Sequence, residues 1–134
     1  MRYVVDAHAI IWFLAGSPNL GPNAKFVLNH NLSDIVFPAT ALAEVYWIIE
    51  HKPARVGGLT ADLVKKAIDK DPRITIYPLD RTVIERSISL TKINEMHDRL
   101  ITATAAVIID SGDDASLITF DNNITAADYV PIVW

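Results

Sequence analysis

Residues 2–16 read RYVVDAHAIIWFLAG, and this stretch decides the fold class. Residues 2–6 are a short run of apolar and β-branched side chains, which predicts a buried strand. Residues 7–15 are apolar and compatible with a helix, which the Gly-Ser-Pro at 16–18 ends. A buried strand that passes directly into a helix is typical of proteins built around a parallel sheet.

The same alternation continues along the chain. We predict further strands over 34–37, 73–77, 115–119 and 130–133, and helices over 22–30, 40–51, 61–70, 81–94 and from 97 or 98 to 110. The chain has no internal repeat or linker, and its 134 residues suit one domain. The pattern therefore predicts a single α/β domain, residues 1–134, with a three-layer α/β/α fold around a mostly parallel sheet of about five strands.

Composition limits the possible functions. Hydrophobic residues make up 51% of the chain and charged residues 21%, which excludes a disordered protein. Cysteine is absent, so disulfides, Cys-ligated zinc, iron–sulfur clusters and thiol nucleophiles are excluded. The net charge of −4 argues against a broad basic surface for nucleic acid, but not against contact with phosphate through a bound metal. Neither a membrane span nor a signal peptide is recognisable, so we expect a cytoplasmic protein.

Four acidic residues stand where solvated acids are unusual. Asp6 ends the first strand, Asp98 opens the helix HDRLITATAAVII, and Asp121 follows the strand SLITF. Glu44 lies on a narrow polar stripe of the otherwise apolar helix ATALAEVYWIIEH, where an unpaired charge is costly. Each also has an ordinary explanation: Asp6 and Asp98 as helix N-caps, Glu44 as part of a stripe that reaches solvent, and Asp121 as a turn residue.

Together the four acids carry more information than each alone. The carboxyl ends of parallel strands and the amino ends of helices share one edge of a sheet, so Asp6, Asp98 and Asp121 are expected to meet there. Glu44 joins them if its stripe faces the same cleft. Crowded carboxylates repel one another, and their pKa values rise unless a cation lies among them. Oxygen ligands in this number suit Mg²⁺ or Mn²⁺, and such a site suits attack of water on a phosphodiester.

Four segments resemble the PIN-domain ribonucleases and, more narrowly, the VapC toxins of toxin–antitoxin pairs. They are VVDAHAIIWFLAG, ALAEVYWIIE, HDRLITATA and LITFDNNI, in the family's order and between residues 4 and 124. The resemblance implies a PIN-like fold and a metal-dependent endoribonuclease with Mg²⁺ or Mn²⁺ as its cofactor. It implies that Asp6, Glu44, Asp98 and Asp121 are both the metal ligands and the catalytic residues. Thr119 matches a hydroxyl residue that often lies near the metal.

The resemblance also implies partners: an RNA substrate, a cognate antitoxin and a second copy in a homodimer, with apolar surface on the first two helices as the contact region. Two positions depart from the family. Ala7 replaces the usual Ser or Thr, which removes a supporting hydrogen bond, and Phe120 stands where Arg is frequent, which removes a phosphate contact. Arg99 is then the candidate for a local RNA contact or for neutralising Asp98.

Other functions compete with the toxin nuclease. A PIN-domain nuclease of RNA processing and a catalytically inert PIN-like binding module are both compatible with the same segments. An aspartyl phosphatase would also use an Asp after the first strand, but it usually has a second Asp two residues later, where His8 stands. Metal binding separates the enzymes from the inert module, because an inert module should gain no stability from Mn²⁺.

Overall fold

The computed structural model describes all 134 residues, Met1–Trp134. One sheet contains five strands: β1 (Arg2–Val5), β2 (Asp34–Pro38), β3 (Ile74–Tyr77), β4 (Ala115–Ile118) and β5 (Ile132–Val133). Their order across the sheet is β3-β2-β1-β4-β5, and every neighbouring pair is parallel. The expected α/β/α fold is confirmed, and the sheet is entirely parallel.

Helices connect the strands and cover the sheet. They are α1 (Ala7–Leu14), α2 (Pro22–Asn29), α3 (Ala39–His51), α4 (Ala61–Lys70), α5 (Arg81–Ser87), α6 (Met96–Asp110) and α7 (Asn122–Ala127), with a 3₁₀ turn at Pro53–Arg55. None of them combines the length and the apolar character needed to cross a bilayer.

The most deeply buried helix is α6, which packs against β1 and β4. All of residues 100–106 are buried, and the small Ala and Thr side chains among them let the helix lie close to the strands. The hydroxyls of Thr102 and Thr104 donate to backbone carbonyls four residues earlier, so their burial leaves no hydroxyl unpaired. The amino end of α6 is thereby fixed relative to the ends of β1 and β4.

The end of α5 and the start of α6 differ from the sequence prediction. α5 ends at Ser87 and does not continue to residue 94, because the Ser87 and Ser89 hydroxyls donate to carbonyls three residues earlier and compete with the helical backbone. α6 begins at Met96, and its N-cap is Glu95, not Asp98. The Glu95 carboxylate accepts the Asp98 N–H at 2.8 Å, so the alternative explanation of Asp98 as an N-cap is wrong.

A helix follows Asp121 where the sequence predicts only a turn. Asp121 Oδ1 accepts the backbone N–H groups of Asn123 and Ile124 at 2.8 and 3.0 Å, so Asp121 is the N-cap of α7. Buried Ile124 and Ala127 attach this short helix to the core. Asp is favoured both in turns and at N-caps, which is why the sequence did not separate the two.

The end of the chain packs against the start of α2. A Cβ at Gly21 would lie 2.7 Å from the backbone carbon and the indole of Trp134, so only glycine permits this approach. Trp134 is therefore held beside α1, where its ring centroid is 5.7 Å from that of Trp12.

Candidate active site

The four acids meet at one edge of the sheet. Asp6 directly follows β1, Asp121 follows β4 after two residues, and Asp98 lies in the first turn of α6. Glu44 reaches this edge from the second turn of α3. A pocket of about 350 Å³ here is lined by Asp6, His8, Trp12, Glu44, Asp98, Phe120 and Asp121. The structure thus brings all four predicted acids to one pocket.

Asp6 is only 7% exposed, and both of its carboxylate oxygens are hydrogen-bonded. Oδ1 accepts the Ala7 N–H at 2.6 Å, and Oδ2 accepts the Thr119 hydroxyl at 2.6 Å. Burial raises the pKa of Asp6 by more than these hydrogen bonds lower it. Asp6 therefore caps α1, as its ordinary explanation holds, and it also lines the pocket, while its role as a metal ligand stays a prediction.

Thr119 joins two of the acids. Its hydroxyl donates to Asp6 Oδ2 and accepts the Asp121 backbone N–H at 3.1 Å. The side chain is 1% exposed, so these bonds are shielded from water. With alanine at position 7, the Asp6 carboxylate receives its hydrogen bonds from Thr119 and from the backbone alone. Thr119 therefore links the Asp6 carboxylate to the Asp121 backbone.

Glu44 has one oxygen, Oε1, that is buried without a hydrogen-bond partner. Burial raises the pKa of Glu44 to about 7, the charge of Asp6 adds to this effect, and His97 opposes it. An unpartnered buried oxygen is costly, and a proton or a cation at this oxygen lowers the cost. The polar stripe of α3 reaches solvent towards the end of the helix, because Trp47 and His51 are exposed, whereas Thr40 near its start is buried.

The Asp98 carboxylate is half-buried and takes part in no hydrogen bond, since only its backbone N–H and carbonyl do so. Burial raises the pKa of Asp98 to about 7, with further contributions from the charges of Asp121, Glu95, Asp6 and Glu44. Arg99 does not neutralise it. The Arg99 guanidinium donates through Nε to the backbone carbonyl of Ile93 instead, so its expected pairing with Asp98 is wrong, while its RNA contact stays a prediction.

Glu95 is a neighbour of the pocket that was not predicted from the sequence. Besides capping α6, its Oε1 lies 2.7 Å from His97 Nδ1. Burial raises its pKa, but hydrogen bonds from Asp98 and His97 outweigh this and lower the pKa of Glu95 overall. The sequence does carry a signal for this role. Glu95 stands three residues before Asp98, which is the spacing at which an N-cap side chain accepts the third N–H of a helix.

A divalent cation suits the donor chemistry of the pocket but not the present side-chain arrangement. No three acidic or histidine side chains, as placed, form a group that could hold one metal ion. The pocket nevertheless offers four carboxylates, one of them with an unpartnered buried oxygen, and no Lys or Arg lines it. Such oxygen donors suit Mg²⁺ or Mn²⁺. Coordination of one ion by three of them requires side-chain rotation.

The raised pKa values predict that the metal-free protein becomes less stable as the pH rises. Glu44 and Asp98 have pKa values of about 7 when folded, against ordinary values of 4.5 and 3.8. Between roughly pH 4 and 7 the folded state binds more protons at these two groups than the unfolded state does. Their contribution to stability is therefore complete below roughly pH 4 and is lost as the pH rises through about 7. Thermal unfolding in EDTA measures this effect.

Asp98→Asn isolates one of these groups. The amide carries no charge, so we expect a higher Tm than wild type at about pH 8 and a smaller difference at about pH 5. The exposed Asp113, at the opposite edge of the sheet, supplies the control variant Asp113→Asn, which should follow the wild-type curve. If Asp98→Asn instead lowers the Tm at about pH 8, Asp98 is needed for folding and carboxylate repulsion is not the dominant effect.

Comparison with known proteins gives a match at the level of a family. A family model described as PIN domain matches residues 3–129, a range that contains all four acids of the pocket. No curated protein matches the chain.

Proposed function

The chain belongs to the PIN domain family, and we propose that it is a metal-dependent endoribonuclease that hydrolyses RNA phosphodiester bonds. PIN domains are generally nucleases, and PIN nucleases act on RNA. The observation that carries the proposal is the pocket at the carboxyl edge of the sheet, which Asp6, Glu44, Asp98 and Asp121 line together. We propose these four as the catalytic and metal-binding residues, with Mg²⁺ or Mn²⁺ as the cofactor.

The charge of the pocket explains why a cofactor is part of the proposal. An RNA phosphate is repelled by four carboxylates, and a divalent cation, when bound, supplies the compensating positive charge. The chain's own groups do the rest. Thr119 holds the Asp6 carboxylate in a fixed orientation. Burial raises the pKa values of Glu44 and Asp98 to about 7 in the metal-free pocket, so a bound cation would compensate the cost of keeping these two carboxylates ionised.

We assign Asp121 a smaller share than the other three acids. Its Oδ1 already accepts two N–H groups at the start of α7, so only Oδ2 is left without a hydrogen bond. Its negative charge still contributes, because it is the largest charge effect on the pKa of Asp98. Asp121 therefore contributes its negative charge to the pocket more than it contributes a metal ligand.

We further propose that the chain is the toxin of a toxin–antitoxin pair, that it acts in the cytoplasm as a homodimer, and that an antitoxin protein is its partner. The support is the order and spacing of the VapC-like segments. Most of α1 is buried or half-buried, whereas Phe26 of α2 and Leu32 just beyond it are exposed. A contact surface on this part of the chain therefore centres on Phe26 and Leu32, and not on both helices equally.

Cleavage of a structured RNA pool tests the nuclease proposal. We expect the wild-type protein, freed of any copurified antitoxin, to cut RNA with Mg²⁺ or Mn²⁺ and to stop when EDTA is added. Cleavage that continues in EDTA would contradict the metal dependence. Stabilisation by metal without any cleavage would favour the inert binding module. Cleavage by a protein whose expression does not arrest growth would favour an RNA-processing nuclease that is not a toxin.

A further inference from the structure

One wall of the pocket is aromatic, and the four acids do not explain it. Phe120 and Trp12 line the pocket, and their ring centroids are 5.9 Å apart. Trp134 contacts both, at 5.3 Å from Phe120 and 5.7 Å from Trp12. These three rings, which we call the aromatic platform, come from the segment after β4, from α1 and from the end of the chain.

Phe120 is the exposed member of the platform, with 58% of the residue accessible to solvent. A single exposed apolar side chain is common and by itself means little. Phe120, however, lies between Thr119 and Asp121, which a hydrogen bond joins at 3.1 Å, while the Thr119 hydroxyl also binds Asp6. Its backbone is therefore held in a fixed position relative to two of the acids.

The other two rings of the platform contact the Phe120 ring. Trp12 is half-buried and contacts Phe120 with its ring plane inclined by 65°. Trp134 is half-buried and is packed against Gly21, where no larger residue fits. Both indoles pack against the core, so their contacts restrict the positions of the Phe120 ring, whose exposed part forms an apolar surface inside a charged pocket.

The chemistry of this surface selects its ligand. The platform has no cation for a phosphate, but an exposed aromatic ring stacks on the flat face of a nucleobase. We propose that Phe120, supported by Trp12 and Trp134, stacks on an unpaired base of the RNA next to the phosphate that is cut. This inference rests on the proposed nuclease function and adds a base-binding residue to it. Continuity with the acidic pocket favours this ligand over a protein contact, because both walls line the same space.

The variant Phe120→Leu tests the proposal, since leucine keeps the apolar bulk but has no aromatic face. The probe is a labelled oligoadenosine of about eight nucleotides, with Ca²⁺ as the divalent cation and the probe's integrity checked on a gel. We expect Kd to rise by roughly 5- to 150-fold, the range for one lost stacking contact. Phe120→Trp should retain the wild-type affinity. Ile88→Ala, at a residue that is 69% exposed and does not line the pocket, is the control and should bind normally.

A probe without bases separates stacking from a general disturbance. On a ribose-phosphate oligomer of the same length, Phe120→Leu should bind as the wild type does, because the lost interaction requires a base. An unchanged Kd on oligoadenosine overturns the proposal, and so does an equal loss on both probes. If RNA binding is unchanged while sedimentation shows that Phe120→Leu dissociates a dimer, the platform is a protein interface and the proposal is wrong.

The two proposals can fail separately. If the wild type cuts RNA and Phe120→Leu leaves KM unchanged, the nuclease function stands and the base site is rejected. If the wild type cuts no RNA but binds it in a base-dependent way that Phe120→Leu loses, the base site stands and the nuclease function is rejected. Where both hold, we expect the variant to raise KM more than it lowers kcat, because stacking contributes to binding of the strand.

Discussion

Asp98→Asn should reduce RNA cleavage by more than about 100-fold while the protein stays folded. Loss of a group that only supports a metal ligand typically costs about 10- to 100-fold in activity, so if Asp98 is a ligand, as we propose, its loss should cost more. The variant is unusually clean, because the Asp98 carboxylate takes part in no hydrogen bond that an amide would break. The measurement is the initial rate on an RNA pool in Mg²⁺ or Mn²⁺, together with the Tm of the variant.

Substitutions of the other three acids should lower the cleavage rate to different extents. Asp6→Asn and Glu44→Gln should also lose most activity. Asp121→Asn should lose less, because one oxygen of Asp121 is already engaged in the cap of α7, which Asn preserves. Asp113→Asn, at the opposite edge of the sheet, should cut RNA at the wild-type rate. Unchanged cleavage by Asp98→Asn would falsify the proposed metal site. An activity loss in Asp113→Asn would mean that total charge, and not the pocket, governs the rate.

Mn²⁺ should raise the Tm of the wild-type protein by about 10 °C at a concentration of about 100 times its Kd. Binding to the folded state alone then adds about 2.7 kcal/mol to the free energy of unfolding. For 134 residues, an unfolding entropy of about 2.1 cal/mol/K per residue converts this into the stated shift. Thermal melts with Mn²⁺, and with a monovalent salt of equal ionic strength as the control, measure it.

The same shift should depend on pH and on Asp98. Glu44 and Asp98 have pKa values of about 7 without metal, so protons compete with the cation and the shift should be larger at about pH 8 than at about pH 6. Asp98→Asn should reduce the shift at both values. Equal shifts in Asp98→Asn and wild type would place the ion elsewhere, and no shift at saturating Mn²⁺ would remove the metal from the mechanism.

The sheet and the meeting of the four acids follow from short-range patterns in the sequence. The apolar runs before Asp6 and Asp121 define β1 and β4, and parallel topology then places both acids at one edge. Glu44 could be recognised because a carboxylate in an apolar helix is costly. In each case the residues that allow the prediction lie within a single strand or helix, where hydrophobic periodicity and residue type are informative.

What the sequence did not reveal depends on contacts between distant residues or on competing local bonds. Trp12 has the helical spacing of a core or interface residue, and nothing in its neighbourhood predicts contact with Trp134 at the other end of the chain. The early end of α5 depends on serine hydroxyls that bind its own carbonyls. Glu95, and not Asp98, is the N-cap of α6, because a carboxylate at either position could accept the free backbone N–H groups at the start of the helix.

The hydrogen bonds of Thr119 have an evolutionary consequence. Because one hydroxyl serves both Asp6 and the Asp121 backbone, these positions are epistatic: the effect of a mutation at one depends on what the others are. Serine keeps the hydroxyl and is a tolerable replacement, whereas valine fills the space and leaves a buried carboxylate oxygen unpaired. A lineage that loses this hydroxyl therefore relaxes selection on Asp6, and the first acid and the threonine are expected to decay together.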